Sequence, residues 1–234
     1  MGNFVMKAMF SPSLMCMDLT KFNEQITALN SRASLYHVDI MDGHYVKNIT
    51  LSPFFIEQLK KISTIPVDVH LMCEHPEDII PMCLDAGADY ISFHPETANN
   101  KIFRLIHQIH DAGKKAGVVL NPATAIESIY EYIHLLDKIT IMSVDPGFAG
   151  QKFIPETLTK IKRLIQYREQ HNLHFLTEID GSCNEKTFHQ VAQSGVDIFI
   201  IGTSGLFGLA SDICEAWDIM LKIFNKETKT LQIA

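Results

Sequence analysis

Four side chains in this sequence make up a set that could do chemistry: His37, Asp39, His70 and Asp180. In the segment 35–43, Leu-Tyr-His-Val-Asp-Ile-Met-Asp-Gly, a strand period of two puts His37, Asp39 and Met41 on one face and Val38 and Ile40 on the other. Segment 67–72 repeats the pattern with Asp68, His70 and Met72, and segment 175–181 places Glu178 and Asp180 together just before Gly181. Two imidazoles and two carboxylates in one pocket are costly to bury unless a metal ion or proton chemistry compensates. Such a set suits zinc, ferrous iron, manganese or cobalt, and ligand type does not choose among them. A satisfied polar network is the alternative without chemistry.

A second group of residues is rich in glycine and lies late in the chain. Asp145-Pro-Gly-Phe-Ala-Gly-Gln151, Asp180-Gly-Ser-Cys183 and Gly202-Thr-Ser-Gly205 each follow a strand-like run. Glycines let backbone N–H groups approach an anion closely, and a short helix after the last run would aim its N-terminus at the same point. Only Lys152 brings a cation near these loops. Taken singly, each such glycine also reads as an ordinary turn residue.

These residues need a scaffold. Strand-like runs begin near Val5, Leu35, Val67, Tyr90, Ala116, Lys138, His174 and Asp197. Helical patterns are expected over 18–30, 53–62, 76–86, 99–111, 124–132, 155–170, 184–193 and 211–224. The first has Asp18 as N-cap and a stripe of Leu19, Phe22, Ile26 and Leu29, and three open with Pro at or near the first helical position. Strict alternation of strand and helix implies parallel strands joined by crossover helices. Eight units in 234 residues predict one α/β domain over 1–234, a single (β/α)8 TIM barrel. An open doubly wound sheet is the second choice, because it usually has fewer strands. In a barrel, the strand ends carrying these polar residues are where sites form.

Composition narrows the role. Twenty-seven acidic residues against 20 Lys and Arg give a formal charge of −7, with no basic run to follow a nucleic-acid backbone, so no nucleic-acid partner is expected. No apolar run approaches the roughly 20 residues of a membrane span. The first residues lack a signal-peptide core, and Met6 stands where a myristoylation signal wants Ser or Thr. A soluble cytoplasmic protein is expected. The five cysteines (Cys16, Cys73, Cys83, Cys183, Cys214) contain no CxxC pair and are expected to be reduced.

The chain resembles the ribulose-phosphate 3-epimerase family. Ser11-Pro-Ser13, His37-Val-Asp-Ile-Met-Asp-Gly43, His70-Leu-Met72, Asp145-Pro-Gly-Phe148 and Ile179-Asp-Gly181 carry the resemblance, which extends over essentially the whole chain. Within the family it is most similar to the D-allulose-6-phosphate 3-epimerases, through Ser-Leu-Met-Cys-Met-Asp at 13–18, Leu-Ser-Pro-Phe-Phe at 51–55, and the loops at 147–151, 180–184 and 202–207. Pentulose-phosphate members typically read Gly-Phe-Gly-Gly-Gln and Asp-Gly-Gly at the corresponding loops. Ala149, Ser182 and Thr203 depart from that pattern where the far end of the substrate should bind. Lys47 replaces an expected proline, with no functional account.

The resemblance implies one divalent metal ion held by His37, Asp39, His70 and Asp180, with Asp39 and Asp180 also moving protons to and from C3 of a ketose phosphate through a metal-stabilised enediolate. It implies substrate contacts from Ser13 and His70, and an apolar cover of Met41, Met72 and Met142, residues that equally fit ordinary barrel packing. Gly147, Phe148, Ala149, Gly150, Gly181, Ser182, Gly202, Thr203 and Ser204 become the phosphate cradle. A homo-oligomer is implied as well. Three rivals stand beside the six-carbon reading: D-ribulose-5-phosphate 3-epimerase, a keto-gulonate-phosphate decarboxylase, and a non-catalytic sugar-phosphate sensor. The decarboxylases typically carry an Asp-x-Lys-x-x-Asp motif on the third strand, whereas Asp68-Val-His-Leu-Met-Cys73 has no Lys. A sensor would not need all four polar side chains.

Overall fold

On nearly every strand, one set of alternate residues is aliphatic or aromatic and fully buried: Val38 on the second strand, Val69 and Leu71 on the third, Ile139 and Ile141 on the sixth, Phe199 and Ile201 on the eighth. These residues pack against surrounding helices, which leaves the other set to fill the interior of a closed sheet. A computed structural model describes residues 8–228. Its strands are β1 (Met9–Pro12), β2 (Tyr36–Met41), β3 (Val67–Met72), β4 (Tyr90–Phe93), β5 (Lys115–Leu120), β6 (Lys138–Met142), β7 (Leu176–Asp180) and β8 (Ile198–Ile201). All pair in parallel, in the order β1-β8-β7-β6-β5-β4-β3-β2. A single bridge, Ser13 to His37, joins β1 to β2 and completes the (β/α)8 barrel. The Val5 start expected for the first strand, and the targeting signals sought in the first six residues, lie outside the described residues.

The helices are α1 (Phe22–Leu29), α2 (Pro53–Lys60), α3 (Pro76–Asp85), α4 (Pro95–Ala98), α5 (Ile102–Asp111), α6 (Glu156–Gln170), α7 (Phe188–Ala192) and α8 (Ile213–Thr228). Asp18 does cap, accepting from the Thr20 N–H at 3.0 Å, but the turn it opens is the 3-10 segment Leu19–Lys21, and Leu19 is exposed. The helix expected over 124–132 is instead two 3-10 turns, Ile126–Ile129 and Ile133–Leu135. Its buried residues Ile126, Ile129 and Tyr132 fall three apart, the period of a 3-10 turn. The helix expected over 184–193 shrinks to α7, because the Thr187 hydroxyl accepts from the Asn184 N–H and donates to the Ser182 carbonyl, holding 184–187 as a turn. In the other direction, α8 runs past the expected end at Phe224.

Aromatic packing closes the barrel where β1 meets β8. Phe224 of α8 lies 4.9 Å from Phe10 and 5.2 Å from Phe199 by ring centroid, both edge-on, and 5.3 Å from Phe188. Among the described residues no helix is long and apolar enough to cross a membrane. The five cysteines are free thiols, as expected. Phe224→Ala should lower unfolding free energy by about 3–5 kcal/mol, since a large ring leaves a cavity between three fixed neighbours. Urea denaturation checks it, and a loss below about 1 kcal/mol would mean the seam repacks.

Candidate active site

Parallel register places the polar residues in layers inside the barrel. Asp39 pairs with His70 and Met41 with Met72 across β2 and β3, while Met142 pairs with Asp180 across β6 and β7. His37 lies one layer deeper, in register with Asp68. The four side chains expected to act together do converge, their ligand-type atoms all lying within 4.8 Å of one another. His37 Nε2 is 3.3 Å from Asp39 Oδ1 and 3.8 Å from Asp180 Oδ2. His70 Nδ1 is 3.1 Å from the same Asp39 oxygen and 3.6 Å from the same Asp180 oxygen. The Asp39 side chain is 4% exposed and that of Asp180 17%, so a molecule entering from the mouth meets Asp180 more openly.

Each of the buried groups is held from behind. Ser13 Oγ donates to Asp39 Oδ2 at 2.8 Å, and the Thr50 hydroxyl donates to the Asp39 carbonyl at 2.7 Å. His37 Nδ1 lies 2.8 Å from Asp68 Oδ2, whereas His37 Nε2 is buried without a hydrogen bond among the described residues. His70 Nε2 meets His94 Nε2 at 2.9 Å, and the Tyr45 ring stacks at a tilt on His94, 4.7 Å away by centroid. Burial opposes charge on both ligand-facing imidazoles, but the carboxylates of Asp39 and Asp68 together outweigh it at His37, whose pKa rises well above the ordinary value. At His70, burial is likewise overcome by the nearby carboxylates of Asp180 and Asp39. Burial also pushes the Asp39 carboxyl up, and the charges of His37 and then His70 bring it far below the usual carboxylate range. His94 has no acidic neighbour to offset burial and the charge of His70, so it stays neutral and accepts the His70 Nε2–H.

Above this cluster opens a cleft. Ser13, Met41, Met72, Met142 and every residue expected in the phosphate cradle line it: Gly147 through Gly150, Gly181, Ser182, and Gly202 through Ser204. The three methionines form no single cover: Met41 and Met72 pack with Met15, and Met142 packs separately with Val119 and Val144. Among the described residues, no Lys or Arg lines the cleft. The short helix expected after the last strand is a one-turn π-helical segment, Thr203–Phe207, whose first N–H groups lack partners within the turn. Two glycines are required by their surroundings. Gly181 has φ +116° and a Cβ there would stand 2.7 Å from Val144 Cγ2, and Gly147, at φ +117°, would bring a Cβ to 3.0 Å from Val46. Asn48 Nδ2 donates to the Gly147 carbonyl at 2.8 Å and ties the β2 loop to the β6 loop. Nothing in the structure explains Lys47.

The family model described as "Ribulose-phosphate 3 epimerase family" matches residues 9–207. The chain belongs to the ribulose-phosphate 3-epimerase family. It is 40% identical over 206 residues to the ribulose-phosphate 3-epimerase of Aquifex aeolicus (strain VF5), covering 88% of this chain and 91% of the relative. It is 35% identical over 227 residues to the enzyme of that name from Buchnera aphidicola subsp. Schizaphis graminum, covering 96% of each chain. Family membership makes it a carbohydrate epimerase, of the isomerase class. Among solved structures, 3-hexulose-6-phosphate synthase from Salmonella typhimurium aligns with TM-score 0.62 at 15% identity, over 94% of this chain and 99% of that one. At that identity the likeness is one of fold.

Sequence reasoning missed Lys138, His94 and Tyr45 in the support of the site, and it gave no role to Asp68 and Glu178, which lie a layer below His70 and Asp180. Their register within β3 and β7, two residues before His70 and Asp180, was the available signal. Gly181→Ala should cost about 1–3 kcal/mol, through left-handed backbone strain together with the contact on Val144. Thermal denaturation measures this, and an unchanged midpoint would show that the loop absorbs the methyl.

Proposed function

We propose that this epimerase interconverts D-allulose 6-phosphate and D-fructose 6-phosphate, with a divalent metal ion held by His37, Asp39, His70 and Asp180. The observation that carries the reading is the approach of the Asp39 and Asp180 carboxylates to both imidazoles at the floor of an open cleft. The donors fit a cation: His37 Nε2 is a buried nitrogen without a hydrogen bond, and its ring is oriented through Nδ1 by a carboxylate, as ligating imidazoles commonly are. When bound, a divalent ion supplies positive charge against the negative charge that develops on the C2 and C3 oxygens as the C3 proton leaves.

The protein's residues do the remaining work. The C3 proton is acidic only because it is adjacent to the C2 ketone, and inversion requires its removal on one face and its return on the other. Asp39 and Asp180, from β2 and β7, are the two carboxylates that can flank a substrate there. The Ser13 hydroxyl occupies Asp39 Oδ2 and leaves Oδ1 directed at the cluster. Met41, Met72 and Met142 offer apolar walls that limit water at the planar intermediate. At the far end, backbone N–H groups of the 147–150, 181–182 and 202–204 loops receive the phosphate without a cationic side chain.

The six-carbon preference rests on the resemblance to allulose-6-phosphate enzymes and on Ala149, Ser182 and Thr203, which line the phosphate end of the cleft. A five-carbon reading, D-ribulose 5-phosphate, is favoured by the names of the curated relatives. Side-by-side kcat/KM values on the two sugars decide: a higher value on D-allulose 6-phosphate is expected, and the reverse order would keep the chemistry and reassign the substrate. Activity should be lost on chelation and return with a divalent ion. Asp39→Asn and Asp180→Asn should each lose about 10²–10⁴-fold in turnover with metal present. Near-normal turnover in either variant would rule out the two-carboxylate mechanism.

A further inference from the structure

Beneath the four converging side chains lies a second group of buried charge that the proposed reaction does not use. Lys138 opens β6 and is fully buried. Its ammonium donates to Asp68 Oδ2 at 2.8 Å, to Thr140 Oγ1 at 3.1 Å and to Glu178 Oε1, which also accepts from the Thr140 hydroxyl at 2.7 Å. The ligand-type atoms of His37, Asp68 and Glu178 cluster within 4.8 Å, spacing that would suit a second metal ion. The Lys138 ammonium already supplies the cation there. Barrel interiors are usually filled by aliphatic side chains, and a buried ion pair is often no more stable than an apolar replacement of the same volume. Stability alone therefore does not account for it.

Donor and acceptor roles supply the reason. An ammonium has hydrogens to donate and no lone pair, so the oxygen facing it must accept. That oxygen, Asp68 Oδ2, is the one that stands 2.8 Å from His37 Nδ1. Accepting from both sides, it holds a proton on Nδ1, so that Nε2, the nitrogen facing Asp39 and Asp180, is the one left to give up its proton and bind a metal.

We propose that Lys138 is a positioning residue: through Asp68 it fixes the orientation and tautomer of His37, and so presents the Nε2 lone pair to the metal site. The proposal rests on His37 being a ligand, as in the reading above. The test uses the whole protein, stripped of metal, and the variant Lys138→Met/Glu178→Gln, which removes one charge of each sign with little change of volume. Zn²⁺ affinity by chelator competition, the visible absorption of added Co²⁺ and the thermal midpoint of the metal-free protein are read together.

Zn²⁺ affinity should fall by about 10–100-fold and Co²⁺ absorption weaken while the metal-free protein stays folded, with its midpoint lowered by the loss of the Asp68 counter-charge. His37→Asn is measured alongside. Affinity within about twofold of the parent in the double variant, with loss in His37→Asn, would make Lys138 a structural ion pair and overturn the proposal. Full affinity in both would instead remove His37 from the ligand set, and the proposal with it. If the double variant does not fold, Asp68→Ala tests the same link, because Lys138 keeps Glu178 as partner. A comparable loss of affinity is then expected, and unchanged affinity overturns the proposal.

Discussion

Removing a carboxylate from water costs on the order of several kcal/mol unless opposite charge and hydrogen bonds replace the solvent, and Asp39 sits almost wholly inside this barrel. Its two oxygens meet His70 and His37 on one side and the Ser13 hydroxyl on the other. Both imidazoles then need partners of their own, which Asp68 and His94 provide, and Asp68 needs the Lys138 ammonium. The chain of compensation runs from the mouth to the interior of the barrel, and each link is a donor matched to an acceptor.

Such a polar interior is affordable only because the apolar core lies elsewhere. The outward faces of the strands and the inward faces of the helices form one continuous cluster, from Val38 and Leu71 round to Phe199 and Phe224. That outer layer holds the strands rigidly enough for side chains on β2, β3 and β7 to meet within ångströms of one another. The rim is built differently. Its loops are glycine-rich, and its connection from β2 to β6 passes through one side-chain hydrogen bond, Asn48 to Gly147.

The sequence by itself determined the alternation of strands and helices, because outward and inward residues differ sharply in polarity and their period is local. It determined that His37 and Asp39 share a face, as do Asp68 and His70, since that follows from the period of a strand. It also gave notice of the loops that line the cleft. What local pattern could not deliver was the partner across the barrel. Asp68 and Glu178 stand two residues before His70 and Asp180 on the same faces, and only the closed sheet brings both against Lys138 of β6. The helices expected over 124–132 and 184–193 were lost to buried residues three apart and to the Thr187 hydroxyl, features that periodicity does not weigh. Lys138, His94 and Tyr45 come from strands and loops far apart in the chain, and their bonds to the site exist only once the barrel closes. Charge compensation between distant residues is a property of tertiary contact, whereas the facing of a side chain is a property of its neighbours in sequence.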